Sequence, residues 1–248
     1  MRELLVLLAF SLIVAAPLPA AESEAEALYV EGSRALREKK YEQATKRLER
    51  AAQLRGDHVE TWLKLGIAYS GLERWDAAIE AYEHLIEIEP AHPKAHHNLG
   101  NVYFRRGDFE PAATAYGKSL ELDPDYRLAA FHLGWTLRQL GRSTEAEQAF
   151  NRCLEIEGDD ARAQRTKVDC TFGLGSIRHR ARDYEASTRM MEQVLAVHPG
   201  HPEARYYLGI AYRQTGRLQE AADQLEIHRR MLSAKRRPLP QFDDTAEP

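Results

Sequence analysis

The sequence predicts an all-α stack of antiparallel helix hairpins, and three columns of residues in one register predict it. Glycine recurs at Gly32, Gly66, Gly100 and Gly134, then at Gly175 and Gly209, in steps of 34, 34, 34, 41 and 34 residues. Alanine keeps the same steps at Ala44, Ala78, Ala112 and Ala146, yields to Ser187, and returns at Ala221. Helix-stopping residues form the third column: Gly56, Pro90, Pro124, Gly158 and Pro199. A fixed period of this length marks an array of units that pack on their neighbours and share no single closed core. Such an array offers an extended binding surface in place of a catalytic pocket.

Residues 1–21 stand apart from the register and are predicted to be a signal peptide. Met1-Arg2-Glu3 precedes an apolar run from Leu4 to Ala16, then Pro17, Leu18, Pro19, Ala20 and Ala21 lead to Glu22. A short apolar core followed by a proline break and small residues is the pattern of a secretory leader, cleaved here after Ala20 or Ala21. The run is short for a membrane span, which takes about 20 residues. An uncleaved N-terminal anchor is the alternative. No later segment is long and apolar enough to span a membrane. The expected location is therefore exported, and periplasmic if the source is bacterial.

Residues 93–126 show what one unit is. Leu99, Val102, Tyr103 and Phe104 lie at helical spacing, Gly107-Asp108 breaks the run, and Ala112, Ala115, Tyr116, Leu120 and Leu122 resume it before Pro124. The spacings of three and four describe two amphipathic helices. Pro111 falls in the first turn of the second helix, where a missing N–H is harmless. Asp123-Pro124 ends that helix, because a residue before proline avoids helical angles. Small residues at Gly100 and Ala112 let the two backbones approach. One hairpin leaves a face uncovered, so it needs a neighbour. The next unit repeats the arrangement with Leu133, Gly134, Gly141, Ala146 and Phe150.

With these residues in view, the chain resembles the tetratricopeptide repeat proteins. Trp62, Leu65, Gly66, Tyr69, Ala78, Tyr82 and Pro90 carry the fullest match, and Asn98-Leu99-Gly100-Asn101 with Tyr103 is also typical. Six such repeats, starting near 25, 59, 93, 127, 168 and 202, cover 25–232. The resemblance implies a right-handed α-solenoid whose first helices line a concave groove. The first repeat departs at Glu31 and Ala35, the fourth at Ser143, and the fifth at Arg178 and Ser187.

The 41-residue step places seven extra residues within 158–167. Seven residues are close to two helical turns, so the stretch reads as a longer first helix of the fifth repeat, capped by Asp159 or Asp160. An irregular surface loop is the alternative. The two cysteines, Cys153 and Cys170, permit one disulfide in an oxidising compartment, or stand as two buried thiols. Cys153 shares a column with Ala51, Leu85 and Val194, which reads as core. A bridge needs Cα atoms within about 7 Å.

The groove positions implied by the resemblance are His97, Asn98, Asn101, Phe104 and Arg105, then Phe131, Trp135 and Arg138, then Phe172, His179 and Arg180, then Tyr206 and Arg213. Rings alternate with cations, which suits a peptide with apolar and acidic groups or a free C-terminal carboxylate. For Phe131 and Phe172, packing between neighbouring repeats is the alternative. Asn98 and Asn101 resemble part of the carboxylate clamp used by some relatives, but His97 replaces its lysine, and Leu128 and His132 stand where further cations belong.

Other chemistry finds no footing. His92, His96 and His97, or His198 and His201, lack the cysteine or carboxylate that would complete a zinc set at motif spacing, so no metal and no cofactor is expected. There is no Gly-rich phosphate loop, Gly-x-Ser-x-Gly or His-Glu-x-x-His, so no enzyme is expected. The net charge of −4 argues against a nucleic-acid partner. Residues 233–248, with Lys235-Arg236-Arg237 and Pro238-Leu239-Pro240, read as a disordered tail. The expected role is a non-catalytic adaptor or scaffold that holds a protein or peptide partner in its groove, in envelope assembly. A self-associating spacer and a regulatory subunit of an envelope enzyme complex are the alternatives.

Overall fold

A computed structural model describes residues 20–158 and 160–234. The predicted signal peptide and tail lie largely outside them, as does Asp159. The described residues form six hairpins of twelve helices and no strand. The first helices are α1 (Ala20–Arg37), α3 (Val59–Gly71), α5 (Pro93–Arg106), α7 (Arg127–Gln139), α9 (Ala161–Arg180) and α11 (Pro202–Gln214). The second helices are α2 (Tyr41–Leu54), α4 (Trp75–Ile88), α6 (Phe109–Leu122), α8 (Ser143–Glu155), α10 (Tyr184–Val197) and α12 (Leu218–Ala234). Each helix packs on the next, and successive first helices also touch one another. Among the described residues no two second helices do. The first helices are therefore crowded together on the inner side of the bend, and the second helices fan out on the outer side. The fold is an all-α solenoid.

The glycine column is a row of seats. A Cβ built on Gly32, Gly66, Gly100, Gly134, Gly175 or Gly209 would lie 2.5–2.7 Å from the side chain sixteen positions later: Leu48, Tyr82, Tyr116, Phe150, Met191 or Leu225. The second helix presses one large side chain against bare backbone of the first, and the alanine column keeps the helices close enough for it to arrive. Phe150 is held on two sides, because a Cβ built on Gly173 of the next hairpin would also lie 2.5 Å from the same ring. The ring is fully buried and locks the fourth hairpin to the fifth.

The turns share a geometry that composition hides. Each hairpin reverses through a residue in the left-handed region, at Lys39, Glu73, Gly107, Gly141, Arg182 and Gly216. The next amide closes back onto the helix, as in Asp108 N–H to Tyr103 O at 2.9 Å and Arg142 N–H to Leu137 O at 2.9 Å. Glycine adopts this conformation freely, whereas Lys39, Glu73 and Arg182 hold it at a steric cost.

The stopper column also has a bonding role. Its carbonyls cannot continue a helical ladder, and each accepts from a side chain instead. Trp62 Nε1 donates to Gly56 O at 2.6 Å, His96 Nε2 bonds Pro90 O at 3.0 Å, and Arg205 Nη2 donates to Pro199 O at 2.8 Å. Arg152 serves Pro124 O and Lys167 serves Gly158 O, at 3.0 and 3.2 Å.

The seven extra residues lie in α9, which has 20 residues against 13 in α7 and α11. Asp160 caps it, its carboxylate accepting from Ala163 N at 2.9 Å. Cys153 of α8 and Cys170 of α9 are joined by a disulfide with Cα atoms 6.5 Å apart. The bridge closes a loop over a sequence separation of 17, for which loop entropy gives a stabilisation of about 3 kcal/mol. The register start near 25 falls inside α1, which begins five residues earlier.

Gly134→Ala gains about 1 kcal/mol of helix propensity but overpacks a ring pinned on both sides, at the upper part of a roughly 1–3 kcal/mol range. We expect net destabilisation of about 1–2 kcal/mol by chemical denaturation. Gly209→Ala should be near neutral, because Leu225 is only half-buried in the last hairpin. Equal effects would show that the seat is not tight. Ser187 is fully buried with its hydroxyl unpartnered among the described residues. Ser187→Ala should therefore raise stability by about 1 kcal/mol, read as a higher denaturation midpoint.

Candidate functional site: the inner wall

The wall made by α5, α7, α9 and α11 carries two clusters. The first joins the third and fourth hairpins through histidine. His97 is only 3% exposed. Its Nε2 lies 2.9 Å from Nδ1 of His132, and its Nδ1 lies 3.2 Å from Asn98 Oδ1 and 3.3 Å from the Tyr126 hydroxyl. A proton on Nδ1 of His97 facing the Asn98 oxygen leaves Nε2 to accept from His132, so both rings are neutral. Burial holds His97 down to about 4, against the help of Asn98. Burial, then its neighbour His97, pushes His132 well below the ordinary imidazole value.

Of the first expected groove positions, His97 is turned inward. His97 is sealed inside the joint and presents no face to a guest. Asn101 Oδ1 is engaged by the Tyr116 hydroxyl at 2.7 Å. The side-chain oxygens of Asn98 and Asn101 are thus both engaged in internal bonds. Histidines also cap the starts of helices here: His92 and His201 accept from Ala95 N and Ala204 N at 3.1 and 3.2 Å. No group of three or more potential metal-ligating side chains occurs among the described residues, and none of their helices is long and apolar enough to cross a membrane.

The second cluster runs through the fourth to sixth hairpins. Trp135 packs edge-on to Phe150 at 5.7 Å and stacks on Phe172 at 6.0 Å. Phe131 lies beside Trp135 at 6.3 Å, and Phe172 meets Tyr207 at 5.8 Å and His201 at 4.5 Å. His179 sets its ring edge-on to Tyr207 at 4.9 Å. The Arg138 guanidinium sits 4.2 Å from the centre of the Trp135 ring. Its Nη1 reaches Ser176 Oγ at 3.5 Å, and the Tyr207 hydroxyl lies beside it. Burial pushes both Arg138 and His179 below their usual values. Trp135 Nε1, Arg138 Nε and His179 Nδ1 are buried without a hydrogen-bond partner among the described residues.

The remaining expected positions are dispersed. Phe172 is 9% exposed and packs under the sixth hairpin. It occupies the same register position as His97, Phe131 and Tyr206, and each following hairpin covers the one before. Tyr206 has no following hairpin, which explains its 45% exposure. It packs on His228 at 5.4 Å instead. Phe104 pairs with Phe109 at 5.4 Å, and Arg105, Arg180 and Arg213 lie exposed along the wall. Sequence reasoning missed Tyr207, His132 and Tyr126. Tyr207 and His132 share the column of Asn98, so that column was the available signal.

Comparisons with known proteins agree with the architecture. One tetratricopeptide repeat family model matches residues 97–162 and 172–231, and another matches 61–125. No curated protein matches the chain by sequence. The fold is similar to that in a structure described as a functional characterisation of Pseudomonas aeruginosa pilF, with a TM-score of 0.71 at 14% identity over 88% of this chain and 96% of that one. It is also similar to a tetratricopeptide repeat protein from Parabacteroides merdae, with a TM-score of 0.68 at 17% identity over 87% and 81%. The structure of YrrB, described as having an unusual peptide-binding site, gives a TM-score of 0.63 at 17% identity over 75% and 92%.

The histidine joint predicts acid sensitivity. Both rings are neutral in the fold and cationic in the unfolded chain below about pH 6.5, so between roughly pH 4 and 6.5 the unfolded chain binds more protons. Stability should fall as pH falls through that window, with His97 alone contributing on the order of 3 kcal/mol. Urea midpoints at pH 7 and pH 5 should differ more for the native chain than for a His97→Leu, His132→Leu variant. Parallel slopes would remove the joint as the cause.

Proposed function

Because this chain belongs to the tetratricopeptide repeat family, we propose that it is a non-catalytic adaptor that holds a protein or peptide partner along the wall of its first helices. The observation that carries this reading is the second cluster: Trp135, Arg138, His179 and Tyr207 gathered on α7, α9 and α11. Rings supply large apolar contact at low entropic cost, and a fixed guanidinium supplies direction. The same wall carries Arg180 and Arg213, whose exposed cations suit a guest with acidic groups.

The reading extends to an exported, oxidising compartment, the periplasm if the source is bacterial, and to a part in envelope assembly there. The Cys153–Cys170 bond supports it, since such bonds persist where thiols are not kept reduced. The apolar run Leu4–Ala16, read as a leader, points the same way. A second reading, self-association end to end, is favoured by the exposed Leu218, Ile227 and Leu232 of α12.

Photo-crosslinking amino acids separate the two walls. Placed at Arg180 and Arg213 on the inner side, they should trap a discrete partner. Placed at Lys118 and Glu121 on α6, they should not. Products from the α6 positions alone would move the site to the outer wall, and products made only of this chain would favour the spacer.

A further inference from the structure

Arg138 is a cation that the fold leaves without a counter-charge. Several arginines that cross between hairpins end on carboxylates: Arg106 on Asp76 at 2.9 Å, Arg142 on Glu110 at 3.1 Å, and Arg217 on Glu192 at 3.7 Å. Arg138 has no carboxylate within ion-pair distance among the described residues, and neither do its wall neighbours Arg180 and Arg213. Its companions are the face of Trp135, the Ser176 hydroxyl, Tyr207 and the like charge of Arg180. A cation drawn halfway out of water without a partner costs free energy, as does each buried donor left unmade. Here that cost falls on three linked side chains whose nitrogens lack partners, Trp135, Arg138 and His179; Arg138 lies over the Trp135 ring, and Tyr207 touches both Arg138 and His179.

We infer that Arg138 receives a carboxylate of the guest chain, flanked by the Trp135 and Tyr207 rings, with Arg180 and His179 beside it. This rests on the adaptor reading above and names the chemistry of the guest. The Arg138 side chain is half-buried as a whole, with its Nε covered. A carboxylate offers two oxygens to a planar fork, and low dielectric around the rings strengthens the pair. The site lies on the fourth to sixth hairpins, away from Asn98 and Asn101. Two sources share this chemistry: an Asp or Glu side chain within the guest, or its C-terminus.

The test uses the full chain and three fluorescently labelled peptides: Gly-Phe-Glu-Leu-Phe-Gly amide, the same peptide with Gln for Glu, and the Gln peptide with a free C-terminal acid. An acidic probe should bind about tenfold more tightly than the neutral one, a margin set by one charge-assisted bond. Tightening with Glu assigns the side chain, and tightening with the free acid assigns the terminus. Arg138→Met should collapse the preference to within about twofold, and Arg138→Lys should restore part of it. The thermal midpoint of Arg138→Met should not fall, because an uncompensated cation is removed. Should it fall by several degrees, recovery of the preference by Arg138→Lys still supports the assignment, and no recovery overturns it. Equal binding of all three probes overturns the inference and leaves the adaptor reading standing. A preference that survives Arg138→Met overturns it as well. Binding of none of the probes counts against both.

Discussion

The structure depends on the contact between a bare helix backbone and one large side chain sixteen residues later. That contact recurs in all six hairpins, and it fixes how deeply the second helix sinks into the first. The identity of the large residue varies from leucine to tyrosine, phenylalanine and methionine, but the empty place that receives it does not. Everything else follows from that depth: first helices crowd together, second helices fan apart, and an inner wall results. Phe150 adds a second contact of the same kind across to Gly173, so the fourth and fifth hairpins are keyed together by one ring.

The period, the hairpins and the six-unit count were legible because they are properties of each unit alone. Gly100 and Ala112 announce a close approach wherever they occur, and Asp123-Pro124 ends a helix by its own local geometry. The fate of the inner-wall residues was not legible, because it depends on the next unit. His97 is covered by His132 and Tyr126, and Phe172 by Tyr207 and His201, whereas Tyr206 stays open for want of a successor. Identical register positions thus have different environments. Lys39, Glu73 and Arg182 show the same limit at the turns. Their left-handed backbone is imposed by the hairpin, and nothing in their chemistry announces it.

Polar groups divide along a similar line. The stopper column is recognisable from proline and glycine, but the side chains that satisfy its carbonyls are of four types: Trp62, His96, Arg205 with Arg152, and Lys167. The hydrogen-bonding need is constant while the donor is free to change, so no single residue type marks it. The histidines illustrate the cost of reading type without place. Neighbouring histidines take unlike parts: His92 and His201 cap helices, His96 serves a carbonyl, and His97 is buried against His132. Conversely, Arg138 draws its interest from the company it lacks.

The disulfide between α8 and α9 sits where the array departs from its regular step. A stack of like hairpins under tension yields one unit after another, since each is held only by its neighbours. Across this one junction, Cys153 and Cys170 form a covalent tether that a pull on the chain ends cannot part. The segment between them would contribute no length to an extending chain, and the fourth hairpin could not drift from α9. The mechanical weak points of the molecule therefore lie at its other junctions, and the tethered pair of hairpins carries much of the aromatic wall.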